Sequence, residues 1–265
     1  MESMIKAILL GILQGVTEFL PVSSSGHLII AQYFLGYEEI PLLFDIILHV
    51  ATLIAVCVIF RKRITSMFLS SIRFVSGRKN DGDGEDLLLV KMILIATLFT
   101  GVVGIVIKKM DIDSPRVISA LFIVTGLILI LSKFFHGKIG YEKIKVRHGI
   151  ITGIAQGLGV LPGISRSGIT ITASVASGLK RENAGEYSFL ISIPAIFGAL
   201  LLDIKQAGNV LVFFNLLELG AAFLAAFATG IISLFLLLKL VKRGKLYFFS
   251  FYLIPAGIFG LFFLQ

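Results

Sequence analysis

The chain has 265 residues, of which 57% are hydrophobic and 15% charged, and its mean hydropathy is +0.98. So little polar surface excludes an ordinary water-soluble domain and predicts a polytopic membrane protein. The net charge of +8 does not indicate nucleic-acid binding, because the basic residues lie in short loops beside apolar runs, where they suit membrane orientation and anionic headgroups.

Eight apolar segments follow one another along the chain. A bilayer core about 30 Å thick needs roughly 20 apolar residues to cross as a helix. Six runs approach that length: 42–60, 87–107, 117–135, 187–204, 216–238 and 246–264. Two further segments, 4–35 and 148–179, are broken near the middle by Pro21 or Pro162 and by clustered glycines and serines. Proline disfavours helix at the preceding residue, so each broken segment should form two short helices that meet at a polar turn.

The order of these segments predicts the topology. Irregular backbone inside a membrane is tolerated only around a cavity or inside protein, so each broken segment should be a re-entrant hairpin that leaves on the side it entered. Each hairpin is followed by three spans, an odd number, so the second set begins on the opposite face. The sequence therefore predicts an all-α polytopic membrane protein with an inverted-topology repeat, residues 1–140 and 141–265, in a single membrane domain.

The loop charges predict the orientation in the plasma membrane. Three loops that fall on one side carry Arg61, Lys62, Arg63, Arg73, Arg78 and Lys79; Lys133, Lys138, Lys143, Lys145 and Arg147; and Lys239, Arg243 and Lys245. The other side carries Lys108, Lys109, Arg116, Lys205, Glu38 and Glu39. Basic loops stay inside, so both termini should lie outside. The acidic, glycine-rich stretch 80–86 is expected to be a solvated cytoplasmic loop.

The two hairpins are related in sequence. A shift of 142 positions lays residues 11–26 over 153–168 without a gap, and seven of the sixteen pairs are identical. Glu18 falls opposite Val160, and Ser24 falls opposite Arg166. Each copy therefore holds a charged group that the other lacks, and neither copy alone makes a complete site.

The first hairpin carries an acid beside an amide. Gln14 and Glu18 are four residues apart, which places both on one face of the first short helix. An ionisable group in the bilayer costs roughly 2.5–3.5 kcal/mol on insertion scales, so it usually faces a polar cavity and has a function. This pair suits a divalent metal ion or an oriented water; the alternative is a buried polar pair that locks two helices together.

A hydroxyl-rich turn follows. Ser23, Ser24, Ser25 and Gly26 lead into a helix whose free N–H groups and dipole favour an anion. Capping explains one serine well and three in a row poorly. His27 follows at once and suits proton transfer or nucleophilic attack, although a single histidine in an apolar segment is often structural.

The second hairpin supplies a cation. Arg166 stands between Ser165 and Ser167, with Thr170 one helical turn later. A guanidinium matches phosphate oxygens with two parallel hydrogen bonds, so Arg166 is the predicted phosphate ligand. The competing interpretation is an ion pair with Glu18 that holds the hairpins together; both hold if phosphate displaces the pair.

Four further residues are weaker candidates. Asp45 lies one helical turn before His49, and both are candidates for lining the cavity. Gln156 is the counterpart of Gln14 in the second copy. Glu186 heads a later span, where a helix-start charge explains it equally well.

The two motifs also carry a family resemblance. QGVTEFLPVSSSGH at 14–27 and PGISRSGIT at 162–170 resemble the signature pair of the bacitracin-resistance type of undecaprenyl-pyrophosphate phosphatase. Loop lengths and repeat spacing fit over essentially the full length. The resemblance implies an integral membrane enzyme that removes the terminal phosphate of a C55 isoprenoid pyrophosphate, recycles the lipid carrier for peptidoglycan and confers bacitracin resistance.

The resemblance also implies roles for individual residues. Glu18 would be tied to a divalent cation, Mg²⁺ or Ca²⁺; Ser24 and His27 would be the catalytic hydroxyl and imidazole; Arg166 would bind phosphate. Gln14 stands where many members have glutamate, so this helix offers a metal one carboxylate rather than two. The expected partners are the polyprenyl pyrophosphate and membrane lipids, with a homodimer as an option and no nucleic acid.

The residues leave the chemistry and one rival function open. Ser24 attacking with His27 as base or acid, His27 attacking directly, and a Glu18-bound metal activating water are all compatible with the motifs. Inverted repeats with broken helices are also the architecture of secondary transporters, so a lipid-phosphate flippase or a secondary transporter is the alternative. A transporter needs an anion site but no nucleophile, so the Ser24 and His27 pair favours an enzyme.

Overall fold

The computed structural model describes residues 2–34, 42–78, 80, 82–110, 114–203 and 214–264. These residues form eleven α-helices and three short 3₁₀ helices, with no β-strand among them. The helices are α1 Glu2–Phe19, α2 Ser24–Phe34, α3 Leu42–Ile59, α4 Arg61–Val75, α5 Asp83–Lys108, α6 Pro115–Leu131, α7 Val146–Leu158, α8 Arg166–Ala176, α9 Arg181–Asp203, α10 Leu216–Lys242 and α11 Ser250–Phe263. The 3₁₀ helices are Ser132–Phe134, Tyr141–Lys143 and Leu246–Phe249.

The six predicted spans are confirmed. Within the described ranges, six helical segments are long and apolar enough to cross a bilayer: Leu42–Ile59, Asp83–Lys108, Pro115–Phe134, Arg181–Leu202, Leu216–Lys242 and Leu246–Phe263. Both predicted hairpins are also broken into two helices, α1 with α2 and α7 with α8. Helix α1 is longer than predicted, because its 18 residues equal the length of the span α3. The protein is therefore an all-α, multi-pass membrane protein.

The 142-residue offset is visible in the helices themselves. Helices α2 and α8 have 11 residues each, and their first and last residues are 142 positions apart. Helix α1 packs most extensively against α10, and α7 against α5. A Cβ on Gly11 would lie 2.3 Å from the Ala222 carbonyl oxygen, and one on its counterpart Gly153 would lie 2.5 Å from that of Ala96. Both glycines thus permit the close helix approach that small residues provide in membranes.

Part of the loop assignment after the first span was wrong. Residues 61–75 form the helix α4, and the stretch expected to be solvated up to position 86 includes the first turn of α5. Asp83 and Asp86 are buried there and paired with Arg73 and Arg63 of α4. Acidic groups are favourable at a helix N-terminus, and the arginines offset their burial.

The remaining topological expectations stay predictions. These are the division at residue 140 into inverted repeats and the placement of both termini outside. Some of the charged residues used for that placement lie outside the described part of the chain: Glu38, Glu39, Lys79 and Lys205.

Candidate active site

The tips of the two hairpins meet inside the helix bundle. The Gly163 N–H donates to the Ser23 hydroxyl at 2.9 Å, and the Ser167 hydroxyl donates to the Phe19 carbonyl at 2.9 Å. All these groups are buried. The turns are thereby held together although about 140 residues separate them in the sequence.

Both turns use left-handed backbone. Gly163 has φ +99° and Ser23 has φ +71°. A glycine adopts this conformation freely, whereas a serine is strained in it and must be held there by its surroundings. Ser23 is held from two sides, because its hydroxyl binds Gly163 and its carbonyl accepts from the ring of His27. The strained turn directly precedes Ser24, the first residue of α2.

Glu18 is the centre of the site. Its Oε2 accepts hydrogen bonds from the Ser24 hydroxyl at 2.6 Å and from Gln14 Nε2 at 3.1 Å. Its Oε1 is paired with Nη2 of Arg166, from the other hairpin. Glu18 is only 6% exposed, so the charge of its carboxylate depends on these partners. The ion pair that the sequence offered as an alternative role for Arg166 is present.

An imidazole faces Glu18 from α3, and it belongs to His49. Its Nε2 lies 3.7 Å from Glu18 Oε2, while its Nδ1 is 2.8 Å from the Asp45 carbonyl oxygen. A carbonyl only accepts, so Nδ1 carries a proton and Nε2 is the nitrogen turned toward the site. The Asp45 carboxylate accepts from Gln32 at 3.3 Å.

These groups line a cavity of about 320 Å³. Nine predicted site residues line it: Glu18, Ser23, Ser24, Ser25, Asp45, His49, Gln156, Ser165 and Arg166. Much of the opposite wall is apolar and comes from α9, through Ala195, Ile196, Ala199 and Leu200. Helices α2 and α8 both begin at the cavity, and the N–H groups of a helix's first turn have no partner within the helix. The site therefore combines an anion-attracting end with an apolar flank.

His27 does not join this cluster. Its Nδ1 lies 2.8 Å from the Ser23 carbonyl oxygen and its Nε2 lies 2.7 Å from the Tyr252 hydroxyl, and its ring stacks on Phe122. Nδ1 must donate to the carbonyl, so a neutral ring accepts the Tyr252 O–H at Nε2. That leaves no free lone pair for attack or proton abstraction. His27 instead lines a second, mostly apolar cavity of about 430 Å³ between α2, α6 and α11.

Comparison with known proteins decides the family. A family model described as bacitracin resistance protein BacA matches residues 7–259. The chain belongs to that family. The undecaprenyl-diphosphatase of Treponema denticola is 50% identical over 261 residues, which cover 97% of this chain and 96% of the relative. That of Borreliella burgdorferi is 40% identical over all of both chains, and that of Borrelia recurrentis is 38% identical over 97% of both.

Other predicted site residues of this BacA-family chain support the site without lining it. Gln14 is fully buried behind Glu18. Ser167 binds the Phe19 carbonyl, and Thr170 donates to the Arg166 carbonyl at 2.7 Å. A Cβ on Gly26 would lie 2.7 Å from the ring of Phe122, so this position allows α2 to approach α6.

The two remaining candidates, Gln156 and Glu186, differ in whether they line the cavity. Gln156 does line the cavity, and its Nε2 donates to the Thr100 hydroxyl at 3.1 Å and to the Ile191 carbonyl at 3.2 Å. Glu186 is paired with Arg63 at 2.7 Å and is not among the residues that line the cavity.

Tyr252 was missed by the sequence analysis, because nothing in the apolar run 246–264 relates its hydroxyl to a histidine 225 positions earlier.

The donor groups suit a cation that arrives with its substrate. No group of three or more His, Cys, Asp or Glu side chains that could hold a metal ion occurs in the described segments. The cavity does present two carboxylates, Glu18 and Asp45. Behind Glu18, the buried Oε1 of Gln14 has no hydrogen-bond partner among the described residues. Mg²⁺ is commonly held by one or two carboxylates together with substrate phosphates. The residues present fit that mode.

Proposed function

We propose that the Glu18, Ser24 and Arg166 cavity removes the terminal phosphate from undecaprenyl diphosphate, with Ser24 as the nucleophile. The chain is an undecaprenyl-diphosphatase of the membrane, because its relatives carry that name at up to 50% identity over 97% of its length. The observation that carries the site assignment is a single carboxylate that touches both a serine hydroxyl and an arginine of the opposite hairpin.

Substrate binding would exchange one anion for another at Arg166. In the free protein the guanidinium is neutralised by Glu18 Oε1. A diphosphate offers more negative charge and several oxygens in a geometry that the guanidinium fork matches. Once Arg166 turns to phosphate, Glu18 loses its nearest cation and becomes a stronger base. The carboxylate is therefore activated only when the substrate is in place.

The Ser24 hydroxyl already donates to Glu18, so its proton has an acceptor. As Ser24 Oγ bonds to the terminal phosphorus, that proton passes to Glu18 Oε2. The bond from phosphorus to the bridging oxygen breaks, and its electron pair leaves with undecaprenyl phosphate. Arg166 and the first-turn N–H groups of α2 and α8 stabilise the charge that develops on the phosphoryl oxygens.

A water completes the turnover. It attacks the phosphoserine, loses one proton to Nε2 of His49, which then releases it to solvent, and keeps the other in hydrogen phosphate. Glu18 returns its proton to Ser24 Oγ as that oxygen leaves. His49 is the candidate for this step because its Nε2 is turned toward Glu18 at 3.7 Å, whereas Nε2 of His27 is bound to Tyr252.

We also propose that the Asp45 carboxylate holds a divalent cation delivered with the diphosphate, which leaves Glu18 free to act as the base; the expected tie between Glu18 and the cation stays a prediction. When bound, such an ion would supply charge neutralisation on the phosphate oxygens.

His27 is proposed to position Ser24, because its ring holds the carbonyl of the strained Ser23, one residue before the proposed nucleophile.

Trapping the covalent intermediate tests the nucleophile. Purified protein would be given polyprenyl diphosphate labelled in the terminal phosphate, quenched in acid and mapped by mass spectrometry. We expect the label on Ser24 and loss of turnover in Ser24→Ala. The matched control Ser25→Ala removes a neighbouring hydroxyl and should keep turnover within a few-fold. A Ser24→Ala protein with full turnover would leave direct attack by water as the mechanism.

The flippase or transporter alternative has less support. Carrying a lipid phosphate needs an anion site, which Arg166 and the helix ends would provide, but it does not need a base hydrogen-bonded to a hydroxyl. We propose the plasma membrane as the location, with both termini outside. A homodimer stays a prediction.

A further inference from the structure

Helix α4 turns a row of large apolar side chains outward, although Met67 on its inner side is buried in the core. Its apolar residues Phe68, Leu69, Ile72 and Val75 point outward and are 63%, 45%, 46% and 85% exposed. At 100° per residue, three of them, Phe68, Ile72 and Val75, form one stripe along the helix. The inward-facing Ser70 is only 1% exposed. An exposed apolar stripe of this size marks a surface that something covers.

The polar face of α4 is fixed to the bundle. The Arg63 guanidinium pairs with Asp86 at 3.0 Å and with Glu186 at 2.7 Å, and the Ser70 hydroxyl donates to Asp83 at 3.0 Å. Arg73 donates through Nε to Asp83 at 2.9 Å. These contacts join α4 to both α5 and α9, so they fix which face of α4 is turned outward.

The position of α4 in the chain indicates what covers the stripe. Only Phe60 separates α4 from the membrane span α3, and its φ of −94° and ψ of 15° depart from helical values, so α4 begins as a separate helix at the end of that span. The helix begins with the exposed Arg61 and Lys62, and the exposed Arg78 follows its end. Basic residues beside an apolar face complement anionic headgroups above acyl chains.

We propose that α4 is an interfacial helix whose Phe68, Leu69, Ile72 and Val75 face is embedded at the boundary between headgroups and acyl chains of one lipid leaflet. Arg61, Lys62 and Arg78 then lie at the level of anionic headgroups. On the predicted orientation this is the cytoplasmic leaflet. The ion pairs anchor α4 from the protein side while lipid holds it from the other. This inference does not depend on the phosphatase site.

The absence of tryptophan from the sequence gives a clean test. Phe68→Trp and Ile72→Trp, each a single-tryptophan protein, would be reconstituted into vesicles containing phosphatidylglycerol. Lipids brominated at a shallow or a deep acyl position, and aqueous iodide, serve as quenchers. Leu98→Trp, at an exposed position within the span α5, is the deep control, and Lys143→Trp, at an exposed position in the 3₁₀ helix Tyr141–Lys143, is the water control.

We expect both α4 reporters to emit at shorter wavelength than Lys143→Trp. They should also lose more emission to shallow than to deep bromine, whereas Leu98→Trp should show the opposite order. Quenching by iodide to the extent seen for Lys143→Trp would overturn the proposal. Short-wavelength emission that neither quencher reduces would also overturn it, because a second copy or another protein would then cover the stripe.

The headgroup part is tested separately. Replacing phosphatidylglycerol by zwitterionic lipid should reduce shallow quenching of the Phe68→Trp reporter, and adding Arg61→Gln and Lys62→Gln should remove that dependence. Shallow quenching that is the same in both lipids would refute the role given to the basic residues.

Discussion

Replacing Arg166 by lysine separates the two roles that the structure gives this residue. Arg166 ties the second hairpin to the buried Glu18, and the same guanidinium is the proposed phosphate ligand. Lysine keeps the charge, so a long-range charge effect should survive. It loses the planar fork, and with it the paired hydrogen bonds to phosphate. A charge-assisted hydrogen bond is worth roughly 1.5–3 kcal/mol. At 1.36 kcal/mol per tenfold, losing one lowers kcat/KM about ten- to a hundred-fold.

The assay measures phosphate release and melting temperature on four detergent-purified proteins: the parent, Arg166→Lys, Glu18→Gln and the double variant. We expect Arg166→Lys to melt close to the parent while its kcat/KM falls as above. Glu18→Gln should remain folded and lose most turnover, because the proposed base is gone. If Arg166→Lys kept full turnover and only melted earlier, the ion pair would be structural and Arg166 would leave the list of catalytic residues.

Two further predictions concern the second histidine and the topology. Tyr252→Phe removes the donor to His27 Nε2, a hydrogen bond worth roughly 0.5–1.5 kcal/mol. We expect kcat to fall about two- to twelve-fold while KM and the pH profile stay unchanged. An unchanged kcat would argue against the role of His27 in positioning the turn before Ser24. On a Cys57→Ser background, cysteines introduced near Asn80 and near Gly140 should resist an impermeant thiol reagent in intact cells while one near Gln206 reacts; labelling at the first two positions would contradict the inverted arrangement.

The features that sequence analysis predicted are set by short-range chemistry. A span requires only a run of apolar residues long enough for the bilayer, and all six such runs are helical. The hairpin breaks were predictable because Pro21 and Pro162, with their neighbouring glycines and serines, act on the backbone where they stand. The meeting of Glu18 with Arg166 was predictable for a different reason. When the two copies are overlaid with the 142-residue offset, each holds a charged residue where the other has an uncharged one, so a complete site needs both copies.

The features that were missed depend on contacts between distant segments. The stretch 80–86 resembles a solvated loop by composition, and the arginines of α4 make the burial of Asp83 and Asp86 favourable. His27 lies three positions after Ser24 on α2, a spacing that makes two side chains surface neighbours. Its ring is nevertheless held against Phe122 and Tyr252, by contacts with distant segments. His49 does line the cavity, as its position one helical turn after Asp45 suggested, but no local pattern reveals that it reaches Glu18 from another helix.

The asymmetry of the two hairpins explains why one site arises from two similar motifs. Helices α2 and α8 both aim their N-termini at the cavity, and two helix ends with an arginine would leave it positively charged without an anion. Glu18 supplies that anion in the free protein, and its burial is tolerable only because Arg166, Ser24 and Gln14 satisfy it. A second glutamate at position 160 would oppose the diphosphate, and a second arginine at position 24 would remove the proposed nucleophile. On the proposed mechanism, the charges therefore have to differ between the copies, so that the cavity is stable when empty and reactive when a diphosphate displaces Glu18 from the Arg166 guanidinium.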